Sequence, residues 1–303
     1  MSTFKLSLDR VKNKSQKIPK VMNFFWSGET LSWMRYMTLY SFRKLNPDWE
    51  IVLHVFPYSR QKEKPWPDKN CQDFFNFPSS DYLSKVPELG VRISQIPLNK
   101  KYSKLDPVRL SDVFRWYLLY TNGGFYSDMD ILYVKPMESF YNRISKYATV
   151  LAYTTKPTHY FSIGFIGSTQ GNPFFRDVYK IATNRLNRKG CYQTAGSVAI
   201  YELIGKAKNW NEIVPHTNQL ELYYQKYGTD IYWDFQRIVY PYSYRQIPEI
   251  FFNPKSTLPE ESIGLHWFAG AEMTQEFNRN LSKNNYFEYN NLFCNLVKRV
   301  LGE

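Results

Sequence analysis

Two carboxylates, Asp128 and Asp130, stand one residue apart just after a double glycine, in the run Gly123-Gly-Phe-Tyr-Ser-Asp-Met-Asp130. Phe125, Ser127, Met129 and Ile131 alternate with Tyr126, Asp128 and Asp130, a period of two that predicts a strand with the tyrosine and both aspartates on one face. Like charges about 7 Å apart on one face repel unless something positive lies between them. A hard divalent cation that also carries phosphates answers that need, because Mg²⁺ or Mn²⁺ takes one or two carboxylates and completes its shell with substrate oxygens. Asp112 and Arg115, three residues apart, occupy neighbouring points of one helix face. Leu110, Val113, Phe114, Trp116, Tyr117 and Leu118 make that helix apolar nearly all round, hence buried. A buried ion pair adds little stability on its own. Ligand contact and a self-satisfied local pair are both open readings of Asp112 and Arg115, and the carboxylates downstream favour the first.

Elements must hold these groups in place. The spacing predicts a helix from Leu105 to Tyr120, with Pro107 in its first turn and Gly123 and Gly124 as its left-handed stop. Ile18 to Gly28 is an apolar run ended by Ser-Gly, a buried first strand. Trp26 lies at its carboxyl end, where open α/β sheets place ligands. A stacking surface for a nucleobase and a core tryptophan are both consistent with it, and position alone favours the core. A helix over Ser32 to Leu45 stops at Asn46-Pro47, and strands follow at Trp49–Phe56 and Val91–Ile96. Further strands are expected at Val150–Tyr153 and Phe161–Gly167, with a helix from Asn172-Pro173 to about Leu186. Gln193 to Ser197 is a small-residue loop that fits a close approach to a ligand or a turn equally well. The aromatic residues between 223 and 252 read as core rings rather than an acceptor platform. Gly264 to Gly270 is a strand-to-loop segment with His266 at its end, and Asn284 to Leu301 closes the chain as one amphipathic helix.

Composition bounds the rest. The 303 residues, 43% hydrophobic and 18% aromatic, bury a sizeable core. No run approaches the ~20 apolar residues of a membrane span, and residues 1–20 lack the apolar centre of a signal peptide, so a cytoplasmic protein is expected, with peripheral membrane contact left open. Cys71, Cys191 and Cys294 are too few and too distant for a disulfide framework or a zinc ribbon. His54, His159, His216 and His266 show no i,i+4 metal spacing. The net charge of +12 attracts anions, yet the basic residues are dispersed, with small knots at Lys12–Lys20, Arg60–Lys69 and Lys100–Lys104. No nucleic-acid-binding pattern accompanies them, so no nucleic-acid partner is expected. A nucleotide sugar, an acidic glycan, a phospholipid surface or a simply basic exterior accounts for the charge as well.

Ser111-Asp-Val-Phe-Arg115 followed by Gly123-Gly-Phe-Tyr-Ser-Asp-Met-Asp130 resembles the signature of glycosyltransferases with the DXD sugar-binding motif. The nearest group is glycosyltransferase family 32, with its α-mannosyltransferases and capsule-type sugar transferases. The catalytic domains of the large clostridial glucosylating toxins are similar at greater distance. Ile18 to Gly28 and Asn46-Pro47-Asp48-Trp49 match the opening segments of both. The resemblance implies a GT-A-type α/β fold, a Rossmann-like mixed sheet flanked by helices in a single domain over 18–303 after a basic arm at 1–17. Residues 18–136 would form the nucleotide-sugar half and 137–303 the acceptor half. It further implies a UDP- or GDP-sugar donor, a glycan or glycolipid acceptor, Mn²⁺ or Mg²⁺, and retention at the anomeric carbon. By motif, Trp26 would stack on the base and Asp112 and Arg115 would hold ribose and sugar hydroxyls beside Tyr126. Asp128 would bind ribose and metal, Asp130 the metal directly, and His266 the diphosphate or metal. Catalysis would then rest on Asp130, Asp128 and Arg115. Where the family often has Gly-Ser-Trp, this chain continues Gly270-Ala-Glu272. A non-catalytic binder of the same fold and a charge-driven nucleic-acid binder are the competing readings. A glycosidase would need two carboxylates flanking the bond without a metal, and the Gly-Gly-Tyr context does not support it.

Overall fold

The computed structural model describes residues 17–56, 81–96, 105–154, 160–186, 193–205, 223, 225–228, 231–233 and 236–303. The basic arm apart from Lys17, the knots at Arg60–Lys69 and Lys100–Lys104, and Cys71, His159, Cys191 and His216 lie outside them.

Among the described residues there are nine strands, interspersed with helices. They are β1 (Val21–Ser27), β2 (Glu50–Phe56), β3 (Arg92–Gln95), β4 (Gly124–Ser127), β5 (Ile131–Tyr133), β6 (Thr149–Thr154), β7 (Tyr160–Ser168), β8 (Ile231–Tyr232) and β9 (Gly264–His266). Seven form one sheet in the order β3-β2-β1-β4-β7-β6-β8, and β5 pairs with β9 apart from it. The β2–β3 and β6–β8 pairs are parallel, while β4–β7 and β6–β7 are antiparallel. This is the mixed α/β sheet that the resemblance implies. The chain divides into two compact units, and β1 runs through both.

The first unit takes in residues 97–127 and 140–236 together with the chain before Phe24. Its central helix α2 (Pro107–Thr121) starts where expected, with the Asp106 side chain accepting from the Arg109 N–H and proline in the first turn. It ends at Asn122, and Gly123 follows with φ +71°. A Cβ at Gly123 would lie 2.7 Å from the Gln170 amide nitrogen and 2.9 Å from the Ser168 carbonyl oxygen, so only glycine both turns and fits there. Helix α3 (Pro173–Arg185), capped by Asn172, packs on α2, and α4 (Ser197–Gly205) packs on α3 and β7. The described rings between 223 and 232 fill this core: Tyr223 lies 5.1 Å from Phe174 and Tyr232 lies 5.9 Å from Phe140.

The second unit holds residues 24–96, 128–139 and 237–303. Helix α1 (Trp33–Leu45) has Ser32 as its cap and stops at Asn46 before the proline. The Asn46 side chain donates to the Phe42 carbonyl and accepts from the Met137 N–H at 2.7 Å, so the helix stop also anchors a distant loop. Phe42 meets Trp49 edge-on at 5.7 Å and Tyr133 at 4.8 Å, fixing α1 against β2 and β5.

Two expectations need correction. The strand does not run through Asp130: β4 ends at Ser127, Asp128-Met129-Asp130 is a turn, and β5 starts at Ile131 in the other sheet. Alternation alone cannot see that turn, because the chain leaves one sheet and joins another without glycine or proline to mark it. The closing segment is likewise not one helix. A 3₁₀ turn at Tyr286–Glu288 precedes a helix over Leu292–Leu301, which starts where the Asn291 side chain accepts from the Cys294 N–H.

Candidate functional site

The residues singled out in the sequence gather in two clusters, one within each unit.

In the second unit, the Asp128–Asp130 turn is pinned from two sides. The Thr38 hydroxyl of α1 donates to the Met129 carbonyl at 3.1 Å, and the Ser41 hydroxyl accepts the Tyr133 N–H at 3.0 Å. From the other side, β9 pairs antiparallel with β5 in the register Ile131↔His266 and Tyr133↔Gly264. A Cβ at Gly264 would fall 2.9 Å from the Ile131 side chain, so the close pairing depends on glycine. The chain after β9 then wraps Asp130. The Trp267 N–H reaches its carbonyl at 2.9 Å and the Ala269 N–H reaches Oδ2 at 2.9 Å. Between those donors Phe268 takes φ +55°, a left-handed conformation that a bulky residue rarely adopts, and it turns both neighbouring N–H groups onto one aspartate. The third partner is His266, whose Nε2 lies 3.2 Å from Asp130 Oδ1.

One oxygen or nitrogen from each of Asp128, Asp130 and His266 falls within 4.8 Å of the others. Metal–oxygen bonds of about 2.1 Å separate adjacent ligands by about 3 Å and opposite ones by about 4.2 Å. The cluster therefore closes on one cation with only small movements. His266 Nδ1 is buried with no hydrogen-bond partner among the described residues, and its ring packs against Tyr240 at 4.8 Å and Phe268 at 4.4 Å. Two carboxylates and an imidazole suit Mn²⁺, and the carboxylates suit Mg²⁺. The donor set fits the metal that the resemblance implies.

Burial pushes the Asp130 carboxyl up, and His266, the Arg35 charge and the Ala269 N–H more than reverse this, holding it at about 2. Arg35, on the first turn of α1, is the residue that reading the sequence missed. Its side chain is 4% exposed, its guanidinium carbon sits over the rings of Trp26 at 4.8 Å and Trp267 at 5.7 Å, and Asp130 and Asp128 lie close enough to act on its charge. Burial pulls its pKa down to about 10 against the pull of those two carboxylates. Its only sequence signal was a cation on the otherwise apolar face of α1, three residues after the cap. Trp26 itself is 3% exposed, with its Nε1 donating to the Thr30 carbonyl at 3.0 Å and the Arg35 guanidinium over its ring. Stacking on a base needs one ring face to open.

In the first unit, Asp112 and Arg115 pair as their spacing predicts, at 3.2 Å and with both side chains buried. Arg115 is held on every side. Nη1 donates to the Ile163 carbonyl at 2.7 Å, Nη2 to the Ser111 hydroxyl at 3.0 Å, and the guanidinium lies 4.4 Å from the centre of the Tyr126 ring. Tyr126 shares a 2.7 Å hydrogen bond with Ser111 and is itself buried. Arg115 thus fixes the direction of the Asp112 carboxylate. The Gln193–Ser197 loop closes over the same carboxylate: a Cβ at Gly196 would come within 2.7 Å of Asp112 Oδ2. Its small residue serves a close approach to Asp112, a reason the sequence did not supply.

Residues 30–151 match the family described as "Glycosyltransferase sugar-binding region containing DXD motif". Over 180 residues the chain is 27% identical to inositol phosphoceramide mannosyltransferase 1 of Schizosaccharomyces pombe, covering 56% of this chain and 46% of that protein. The chain thus spans about half the length of the curated relative it matches. Among solved structures, the PaToxG glycosyltransferase overlays with a TM-score of 0.43 at 18% identity, covering 70% of this chain and 86% of the other. An active-site mutant of LgtC overlays at 0.42 and 11% identity, covering 88% and 98%. At such scores neither structure carries an inference about this site. No helix among the described residues is long and apolar enough to cross a membrane. The resemblance read from Asp112, Arg115 and the Gly123–Asp130 run is borne out by the family match: these residues lie within 30–151, the part of the chain similar to the glycosyltransferase sugar-binding region containing the DXD motif.

Proposed function

We propose that the chain transfers a sugar from a UDP- or GDP-linked donor to a hydroxyl of a glycan or glycolipid, with a divalent cation held by Asp128, Asp130 and His266 and with retention at the anomeric carbon. The observation that carries this is the meeting of those three ligand atoms within 4.8 Å, two of them, from Asp128 and Asp130, inside the segment that matches the family and the third brought in by β9. When bound, the cation supplies charge to stabilise the diphosphate that leaves as the sugar–phosphate bond breaks. The residues then divide the work. Asp130, fixed by His266 and by N–H groups on either side of Phe268, keeps a carboxylate in place while the site is empty of substrate. Asp112, aimed by Arg115, accepts hydroxyl hydrogen bonds from ribose or sugar. The net charge of +12 favours encounter with an anionic donor. In this reading residues 18–136 serve chiefly the donor and 137–303 the acceptor. A lipid-linked acceptor finds support in the name of the fission-yeast relative, which couples mannose to inositol phosphoceramide.

A thermal-shift screen of UDP- and GDP-sugars with and without Mn²⁺ tests the reading, since a ligand that binds the native state raises the melting temperature. The expected result is a metal-dependent rise with one donor series, slow donor hydrolysis, and loss of both in Asp130→Ala. A panel in which no sugar nucleotide binds, or in which Asp130→Ala binds donor as wild type does, ends it. Metal-dependent donor binding without hydrolysis or transfer would favour a non-catalytic sugar-nucleotide binder.

A further inference from the structure

Arg35 is enclosed, yet its guanidinium makes no hydrogen bond or ion pair with any described residue, and its Nε is buried without a partner. A buried guanidinium left in this state is costly, because its Nε–H has given up water and received no acceptor and the other donors of the fork have no acceptor among the described residues either. The rings of Trp26 and Trp267 offset part of that cost through cation–π attraction. They offer faces, however, and a guanidinium's donors lie in its plane and need oxygen lone pairs. Asp128 and Asp130 act on it through charge without reaching it: no ion pair within 4.0 Å joins them. An unsatisfied buried donor beside an acidic pair calls for an absent acceptor. The planar fork of arginine matches phosphate oxygens in a bidentate manner.

Charge adds a second consequence. The positive guanidinium acts on both carboxylates, which weakens their hold on a divalent cation arriving alone. A diphosphate arriving with the cation offsets the cation's charge and gives Arg35 its acceptor.

We infer that Arg35 is a binding residue for the donor's diphosphate and that it couples cation binding to diphosphate binding, so that each strengthens the other. This rests on the sugar-nucleotide reading above and assigns a role to a residue which that reading does not use. Coupling of this kind is reciprocal, and a tenfold change in affinity corresponds to about 1.4 kcal/mol.

The test is calorimetry on the full chain with Mn²⁺ alone, with UDP and GDP alone, and with Mn²⁺ at saturating nucleoside diphosphate. Wild type is expected to bind Mn²⁺ at least tenfold more tightly when the diphosphate is present. In Arg35→Met, Mn²⁺ alone should bind as well as or better than in wild type, because a nearby positive charge is gone, while the enhancement by diphosphate falls tenfold or more. Arg35→Lys keeps the charge and loses the fork, so it should retain weak Mn²⁺ binding and recover only part of the enhancement. It also serves if the methionine variant fails to fold. Parallel loss of Mn²⁺ and diphosphate binding in a folded Arg35→Met, or full enhancement in both variants, overturns the role of Arg35 and leaves the sugar-nucleotide reading standing. Absence of any Mn²⁺-assisted diphosphate binding in wild type overturns both.

Discussion

Replacing Asp130 by asparagine keeps the shape of the side chain and removes its charge. The native carboxyl is held at about 2 against an ordinary 3.8. At about 1.36 kcal/mol per pH unit, the surroundings favour the charged form by about 2 kcal/mol. Burial works against that charge, so the favourable part comes from His266, Arg35 and the Ala269 N–H. The sign follows from the direction of the shift: a depressed carboxyl adds stability above its unfolded value, near 4, and loses it as the pH falls towards 2. Asp130→Asn in EDTA should therefore unfold about 2 kcal/mol more easily at pH 5, about 5 °C lower in melting temperature for a chain of this size. The deficit should persist at pH 8 and should close between pH 4 and 2. Urea melts at a series of pH values measure it. With Mn²⁺ at about a hundred times its dissociation constant, wild type should gain about 2.7 kcal/mol that the variant does not. A variant as stable as wild type at pH 5 in EDTA would refute the reasoning, since it would mean that His266, Arg35 and the backbone do not compensate this carboxylate.

Three further outcomes are expected. Gly196→Ala places a methyl group within 2.7 Å of Asp112 Oδ2 and 2.6 Å of Ile163, so it should lower stability by about 1–3 kcal/mol and weaken donor binding by displacing Asp112, as melts and calorimetry will read. Burial, helped by Arg92, pulls His54 down to about 4, so its neutral form contributes up to about 3 kcal/mol that is present above pH 6.5 and lost as the pH falls towards 4. His54→Gln should flatten that acid limb of the stability profile, and an unchanged limb would count against it. Burial pushes the Cys294 thiol up to about 12, and its side chain has no exposure, so a thiol reagent at pH 8 should label it only after denaturation, as peptide mapping by mass spectrometry would show.

What the sequence by itself determined was local. The capped starts and glycine stop of α1 and α2, the apolar runs of β1 and β2, and the i,i+3 pairing of Asp112 with Arg115 depend on residues within a turn or two of each other. Their spacing encodes them directly, and the acidic motif stands out for the same reason. Tertiary structure decided the rest. Asp128-Met129-Asp130 became a turn because β5 finds its partner in β9, more than a hundred residues away, and no local pattern records that choice. The same pairing brings His266 to Asp130, and around a left-handed Phe268 the Trp267 N–H reaches the Asp130 backbone carbonyl and the Ala269 N–H its carboxylate. Arg35 carries no local mark beyond its place among the apolar residues of α1. Only packing shows it buried beside two tryptophans with no acceptor of its own, because burial and hydrogen-bond satisfaction are properties of the assembled neighbourhood and not of the residue.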